Sequence, residues 1–220
     1  MLVTTLLVVG AQLLSGPVPT APPASDTTRL VRGFMNQQFA WGTLVLRDGR
    51  RLQAYLPATT TGVDMMVPYY VLPPDAQPKS KPKLLAINKV KCMRVQGQYS
   101  ELLTPDKNEM PRLAARRQAG AVELFLVQMT APPLVATYLG SAPVLGAPAT
   151  SAPGTAVASW YLRRGTGVPL LITPENFTSQ VPAFLADDKE LAAKVAAGAP
   201  GCRFADLEAI IQRYNQRPRR

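Results

Sequence analysis

A chain of 220 residues with 47% hydrophobic residues is long enough for one ordinary domain and too apolar to be disordered throughout. Its formal net charge of +10, from 24 Lys and Arg against 14 Asp and Glu, favours contact with anionic surfaces. The chain has no histidine, which excludes Ser-His-Asp and Cys-His catalysis as well as histidine-based zinc sites.

The first predicted element is an apolar run from Leu2 to Leu14, followed by a stretch rich in Pro and Ala. The run is shorter than the roughly 20 residues that cross a bilayer, so it is typical of a signal peptide. We therefore predict a signal peptide and spacer over residues 1–25. The protein is then exported, periplasmic or extracellular, with no transmembrane segment in the mature chain. The alternative is a buried N-terminal strand or helix.

A β-hairpin is predicted over residues 39–57, FAWGTLVLRDGRRLQAYLP. A three-residue loop with Gly49 in the left-handed position aligns apolar side chains across the two strands better than a two-residue loop does. The pairs are then Leu44 with Leu52, Gly42 with Ala54, and Trp41 with Tyr55.

Further strands are predicted at residues 65–72, 83–95 and 99–103. The first two are separated by an exposed connection rich in Pro and Lys, because Pro interrupts strand pairing. Gly97 lies between the last two and predicts another hairpin.

Residues 110–120 are predicted to form a short helix, because Leu113, Arg116 and Arg117 recur at helical spacing. The next segment, residues 121–129, alternates weakly between apolar and polar residues. This pattern predicts a strand with both faces partly covered.

A low-complexity surface insertion is predicted at about residues 132–157, where Ala, Pro, Gly, Ser and Thr dominate. Such a segment has too little apolar area to offset the entropy lost on ordering. A second hairpin follows over residues 157–173. Its loop, residues 165–167, pairs Leu162 with Leu170 and Trp160 with Ile172.

Two or three C-terminal helices are predicted from capping residues. Thr173 and Pro174 start the first helix, and Pro182 is expected to kink it or to mark a later start. Asp187 starts the second helix, which ends at Gly198.

Asp206 is predicted to cap the last helix. Its apolar residues recur at the spacing of a core-facing helix: Leu207, Ile210, Ile211 and Tyr214. The Arg-rich tail after Asn215 is expected to project into solvent.

These elements together predict an α+β fold, with an antiparallel β-rich body of hairpins and a C-terminal cap of two or three short helices. Residues 26–220 are predicted to form a single domain that carries the surface insertion.

The order of the elements resembles that of a group of uncharacterised exported proteins from Bacteroidota-type bacteria. The resembling segments are WGTLVLRDGRRLQAYL, VELFLVQ, WYLRRGTGVPLLI and FTSQVPAFLADDKELAAKVAAGAPGCRFADLEAIIQRYN. In that group a β-rich region precedes short helices that end in a motif matched here by residues 203–215. The resemblance implies an exported α+β protein and carries no established activity.

Several kinds of chemistry have no support in the sequence. There is no CxxC, P-loop, GxGxxG or nucleophile elbow, so no cofactor and no metal are expected. The acidic cluster around Asp187 lies at a predicted helix start, where it has a structural role, and Glu101, Glu109 and Glu123 are dispersed. Cys92 and Cys202 form either a disulfide or two separate buried thiols.

Basic residues supply the one candidate binding surface. The predicted basic face comprises Lys79, Lys81, Lys83, Lys89, Lys91, Arg94, Arg112, Arg116, Arg117, Arg163 and Arg164. It suits an anionic envelope polymer or a lipid headgroup, whereas nucleic acid is disfavoured by export and by the lack of neighbouring aromatic residues. The alternative is a solvated surface whose lysines protect an edge strand.

The leading functional hypothesis is an exported, non-enzymatic envelope protein that binds or structures an unknown ligand. One alternative is a binder of anionic polymer or lipid headgroups through the basic face. The other is a hydrolase that uses carboxylate or Ser-Lys chemistry.

Overall fold

The structure is a computed structural model that describes residues 28–59, 65–104, 110–130 and 156–217. The predicted signal peptide lies outside these ranges, as does the predicted insertion apart from residues 156 and 157. The strands are β1 (Val31–Arg32), β2 (Gln38–Leu46), β3 (Arg51–Pro57), β4 (Met66–Tyr69), β5 (Lys83–Ala86), β6 (Val90–Val95), β7 (Gln98–Leu103), β8 (Arg112–Gln118), β9 (Val122–Thr130), β10 (Ala156–Arg164) and β11 (Leu170–Ile172). The helices are α1 (Phe177–Phe184), α2 (Lys189–Ala196) and α3 (Leu207–Gln216). The α+β class is confirmed: an antiparallel sheet built from hairpins is followed by three C-terminal helices.

Both predicted hairpin registers are confirmed. In β2–β3 the three predicted pairs are present, and the Trp41 and Tyr55 rings meet edge to face with centroids 5.2 Å apart. Gly49 has φ 87°, and its N–H donates to the Leu46 carbonyl at 3.1 Å. Glycine adopts this left-handed conformation without the steric cost that other residues incur, so it fixes the loop length and with it the register. The β10–β11 hairpin likewise pairs Leu162 with Leu170 and Trp160 with Ile172.

The main sheet is an antiparallel meander for most of its width. Its strands follow the order β2–β6–β7–β8–β9–β10–β11, and β1 and β3 also pair with β2. Strands β4 and β5 form a separate two-stranded sheet, which the bridge between Tyr55 and Tyr70 connects to β3.

One face of the main sheet carries two apolar clusters. A row of directly opposed residues crosses six strands: Leu44, Met93, Ser100, Ala115, Leu126 and Trp160. We call the side of the sheet that carries these side chains the front face. At the β2–β6 end, front-face residues pack against Val67 and Ile87 from the region of the small sheet. At the β9–β11 end, Leu124 and Leu162 pack against the three helices. We call the opposite side the back face.

The prediction of a helix over residues 110–120 is wrong, because this segment forms strand β8. Strand β8 pairs with β7 on one edge and with β9 on the other. These ladders supply non-local backbone hydrogen bonds that outweigh the local helical tendency of an Ala- and Arg-rich segment. A bulge between Arg116 and Gln118 shifts the register of the β8–β9 pairing by one residue.

The starts of the first two helices differ from the predictions by one to three residues. Thr173 does cap a turn, since its hydroxyl accepts the Asn176 N–H at 3.4 Å, but α1 begins only at Phe177. Pro182 lies inside α1, close to its C-terminal end, and marks no new start. Asp188 rather than Asp187 is the N-cap of α2, since its carboxylate accepts the Leu191 N–H at 3.0 Å.

Helix α3 packs its predicted stripe into the core, where Leu207, Ile210, Ile211 and Tyr214 are all buried. Asp206 holds the N-cap position, but its carboxylate accepts the Arg203 N–H at 3.0 Å within a preceding 3-10 turn. Residues 218–220 of the tail lie outside the described ranges, and Arg217 is exposed as expected. Its half-exposed guanidinium forms an ion pair with the buried Asp188.

Asn215 fastens α3 to the start of β9. Its side-chain amide donates to the Val122 carbonyl at 2.7 Å, and its carbonyl oxygen accepts the Val122 N–H at 3.1 Å. Gly120 has φ +155°, and a Cβ there would lie 2.4 Å from the Asn215 Cγ. The close approach of helix and strand therefore requires glycine at position 120. None of the helices in the described ranges is long and apolar enough to cross a membrane.

Candidate functional site

The fold separates the eleven residues of the predicted basic face. The lysines are exposed, with Lys79, Lys81 and Lys83 leading into β5 and Lys89 and Lys91 at the start of β6. Among the arginines, Arg112 begins β8, whereas Arg116 and Arg117 lie near its other end. Arg164 is bound to Asp187 at 3.2 Å and Arg163 lies within an ion-pair cluster on the back face. Three of the eleven, Arg94, Arg116 and Arg117, line one pocket.

This pocket, which we call the arginine pocket, is an open space of about 440 Å3 at the end of the β6–β7 hairpin. Its lining is Arg94, Gln96, Gly97, Gln98, Tyr99, Arg116, Arg117 and Ala119. Gln96 and Gly97 form the connecting turn with φ 47° and 77°. A two-residue hairpin turn whose twist matches that of its strands requires a positive φ at both residues. The turn thus holds Arg94 directly opposite Tyr99.

The three guanidinium groups differ in how far they are neutralised. Arg116 donates to Glu123 at 2.8 Å, and its Cζ lies 4.2 Å from the centroid of the Tyr99 ring. Arg117 lies 3.4 Å from a carboxylate oxygen of Glu208 on α3. Arg94 lies 5.9 Å from the same ring centroid and has no carboxylate partner in the described ranges. The pocket therefore keeps an excess of positive charge, with Arg94 as its uncompensated group.

Next to the pocket, the back face carries a half-buried ion-pair cluster. Arg163 is central to it, because its guanidinium donates to both carboxylate oxygens of Glu101, at 2.7 and 3.1 Å. It also donates to Glu123 at 2.6 and 2.8 Å. Arg116 donates to the other oxygen of Glu123, and the Tyr99 hydroxyl donates to Glu101 at 3.1 Å. The cluster links strands β7 to β10 and supports Arg116 and Tyr99 of the arginine pocket.

Electrostatics within the cluster favour the charged states of Glu101 and Arg163. Burial by itself would raise the pKa of Glu101, but the hydrogen bonds and charge of Arg163 outweigh it, so this pKa is lowered. The hydrogen bond to Glu101 raises the pKa of Arg163 against the opposing effect of burial. Burial also raises the pKa of Tyr99, with further contributions from the Glu101 charge and the neighbouring Cys92 thiol. Tyr99 therefore stays a neutral hydrogen-bond donor at physiological pH.

The cluster brings together two glutamates that the sequence left dispersed. Glu101 and Glu123 meet on Arg163, whereas Glu109 lies outside the described residues. A general acid needs a raised pKa, and that of Glu101 is lowered. The contacts instead suit electrostatic support of the arginine pocket. A signal for part of the cluster was present in the sequence, because Glu123 interrupts the otherwise apolar segment 122–127 and so needs a partner from a neighbouring strand. Glu101 gives no such signal, because it lies in the mixed sequence of β7.

A second space adjoins the arginine pocket on the front face. This groove of about 210 Å3 shares Gln96, Gln98 and Arg117 with the pocket, and we call it the amide groove. Its lining is Ala58, Thr59, Met93, Val95, Gln96, Gln98, Ser100, Ala115, Arg117, Leu126 and Gln128. Gln98 is fixed by donation to the Arg116 carbonyl at 3.3 Å and to the Tyr99 carbonyl at 3.1 Å. Amide and hydroxyl groups thus line a groove whose base consists of apolar side chains.

The acidic residues of the helix starts have the structural role that was predicted for them. Asp188 caps α2, and Asp187 accepts a hydrogen bond from Tyr214 that lowers its pKa. Glu190 bonds Lys194 one turn later at 2.6 Å.

The two cysteines are free thiols in the structure, so the alternative of a disulfide is not realised. Cys202 is buried in the cluster beneath the helices, whereas Cys92 lies on the back face of β6. Across the described parts of the chain, no three Cys, Asp or Glu residues are grouped so that they could hold a metal ion.

Comparison with protein-family models, curated proteins and solved structures finds no match for this chain. The resemblance to exported Bacteroidota-type proteins stays a prediction, as does the role of the basic residues in ligand binding.

Proposed function

We propose that this chain is a non-enzymatic binding module that holds an anionic ligand in the arginine pocket. The observation that carries this proposal is the convergence of three guanidinium groups from β6 and β8 on one open pocket. Arg94 is uncompensated there, while Arg116 is held in place by Glu123 and Tyr99. A guanidinium held in one orientation loses little entropy when it binds a carboxylate or phosphate.

The amide groove narrows the class of ligand. Gln96, Gln98 and Arg117 line both spaces, so one extended molecule can occupy the pocket with its anionic group and the groove with a neutral part. The Gln98 amide nitrogen donates to two backbone carbonyls and that of Gln96 to the Thr28 carbonyl, so the amide oxygens are what the groove offers to a ligand. Amide oxygens accept hydrogen bonds, which suits a ligand rich in hydroxyl groups. These features favour an acidic polysaccharide of the cell envelope over a bare headgroup.

The location in the envelope rests on the apolar run at residues 2–14. Mass spectrometry of the protein from its native source should find an N-terminus between residues 15 and 26. Intact Met1 in material from the cytoplasm would contradict export while leaving the binding proposal standing.

Binding is tested by calorimetric titration with a polyuronate, with neutral dextran as the control polymer. The double variant Arg94→Gln/Arg117→Gln should weaken polyuronate binding at least tenfold, since each charge-assisted hydrogen bond contributes about 1.5–3 kcal/mol. Arg51→Gln is the matched control, because Arg51 is an exposed arginine at the distant end of the β2–β3 hairpin. Equal losses in both variants would show diffuse charge attraction rather than a site, and the proposal would fail.

A further inference from the structure

A second exposed surface is apolar and lies away from the arginine pocket. It surrounds a shallow hollow of about 260 Å3 lined by Phe34, Met35, Gln37, Met65, Met66, Pro68 and Leu84, which we call the methionine patch. Met35 is 78% exposed, Met65 58% and Leu84 50%. Three long apolar side chains exposed around one hollow are typical of an interaction surface rather than of an ordinary exterior.

The register of β4 and β5 explains why this surface is open. Val67 pairs with Leu85, and this pair belongs to the core cluster at the β2–β6 end of the front face. Pro68 pairs with Leu84, one residue along, so these side chains point away from the core. The small sheet is thus apolar on both faces. On this outer face Pro68 is buried, whereas Met66 is 39% exposed and Leu84 50% exposed.

The 3-10 turn at Phe34–Asn36 adds a strained residue to the patch. Met35 has φ 51°, a left-handed conformation that side chains other than glycine and asparagine rarely adopt. Two hydrogen bonds fix the turn, from the Asn36 N–H to the Gly33 carbonyl at 3.1 Å and from the Gln37 N–H to the Phe34 carbonyl at 3.0 Å. The fold therefore holds a methionine in solvent at a backbone cost, and intramolecular packing does not explain it.

Positive charge lies beside the patch. Lys79, Lys81 and Lys83 immediately precede Leu84, all three are exposed, and none has a carboxylate partner in the described ranges. At the reach of an extended chain, the Cα of Lys81 is within about 11 Å of that of Leu84. The lining of the patch contains no carboxylate, and the sequence places one, Asp64, next to Met65. The charge around the patch is therefore net positive.

We propose that the methionine patch docks on the surface of a bilayer that contains anionic lipid. The exposed Met and Leu side chains enter the boundary between headgroups and acyl chains. Lys79 and Lys81, in the segment before β5, contact the headgroups. Flexible thioether side chains suit this role because they adapt to an irregular apolar environment. The docking is independent of the arginine pocket, whose lining from β6 to β8 shares no residue with the patch.

Vesicle co-sedimentation tests the proposal with the full chain. The protein should bind vesicles of phosphatidylcholine mixed with phosphatidylglycerol much more strongly than vesicles of phosphatidylcholine alone. Met35→Ser/Leu84→Ser should weaken binding about tenfold through lost apolar burial. Lys79→Gln/Lys81→Gln should weaken it about fivefold for each lysine removed, and added salt should weaken it further.

Matched controls come from exposed residues elsewhere. Val168→Ser removes a side chain that is 70% exposed in the β10–β11 loop, and Lys189→Gln removes an exposed charge at the start of α2. Both should leave vesicle binding unchanged. Because all the substituted residues are exposed, thermal unfolding should be similar for every variant.

Three outcomes would overturn the proposal. In the first, the patch variants and the controls bind vesicles equally well. In the second, only the pocket variant Arg94→Gln/Arg117→Gln loses vesicle binding, which would place the lipid in the arginine pocket. In the third, the wild-type chain fails to bind vesicles. If the patch variants then differ from wild type in elution volume in gel filtration, the patch is assigned to contact between copies of the chain.

Discussion

The ion-pair cluster on the back face leads to a quantitative prediction for Arg163→Met. This substitution keeps the aliphatic bulk and the packing against Phe125, whose ring centroid lies 4.8 Å from the Arg163 Cζ. It removes the only group that bonds both Glu101 and Glu123 in the cluster. The carboxylate side chains are 21% and 14% exposed, so water replaces the lost guanidinium only partly.

At neutral pH the substitution should lower the unfolding free energy by about 3 kcal/mol. This is the lower end of the range for removing one partner of a buried ion pair. The pKa of Glu101 lies below its ordinary value of 4.5 in the folded chain. Its ion pair therefore contributes stability that is complete above pH 4.5 and is lost as the pH falls through the folded pKa. In the variant, the Arg163 guanidinium no longer offsets the effect of burial on the pKa of Glu101. This pKa is therefore higher than in the wild type. The difference between wild type and variant should accordingly shrink in acid.

Urea denaturation of both proteins at pH 7 and at about pH 3.5 measures this difference directly. Lys194→Met is the control, because Lys194 forms an exposed pair with Glu190 and the loss of such a pair should change the unfolding free energy very little. The reasoning fails if Arg163→Met costs no more than the control at pH 7. It also fails if the cost grows on acidification.

Other perturbations test the helical cap and the thiols. Ile211→Ala should cost about 2–4 kcal/mol in chemical denaturation, since this side chain is fully buried, and an effect below 1 kcal/mol would place α3 outside the core. Arg217→Ala should cost about 1 kcal/mol, because it leaves the buried Asp188 without its cation; no change would mean that water replaces the guanidinium. Asn215→Asp should cost about 2 kcal/mol and speed amide exchange at Val122, since a carboxylate cannot donate to the Val122 carbonyl. Two thiols should react in denaturant without reductant, and fewer than two would indicate a disulfide.

Local chemistry accounts for the parts of the fold that the sequence predicts well. Gly49 and Gly165 fix the loops of two hairpins through their positive φ values, so strand register follows within each hairpin. The stripe on α3 has a spacing that only a helix with one buried face explains. Strand β8 was missed because its partners, β7 and β9, are separate segments whose pairing is invisible in local periodicity.

The site was harder to predict than the fold, because its residues come from separate strands. Arg163 is 40 residues from Glu123 and 62 residues from Glu101 along the chain. Their meeting depends on the order of β7 to β10 in the sheet, which no motif specifies. The grouping of Arg94 with Arg116 has the same origin, since both positions are basic in sequence but become neighbours only through the β6–β7–β8 order.

The late position of α3 has a consequence for synthesis. Helix α3 covers Leu124, Leu162 and Ile172, which lie on strands made much earlier. Roughly 40 residues separate the end of β11 from the end of α3, which takes about 2–9 s at a translation rate of 5–20 residues per second. During that interval the side chains of Leu124, Leu162 and Ile172 lack the cover of α3. Exposed apolar surface of this kind leads to aggregation or to chaperone binding. Until α3 is available, this half of the sheet therefore lacks part of its apolar cover.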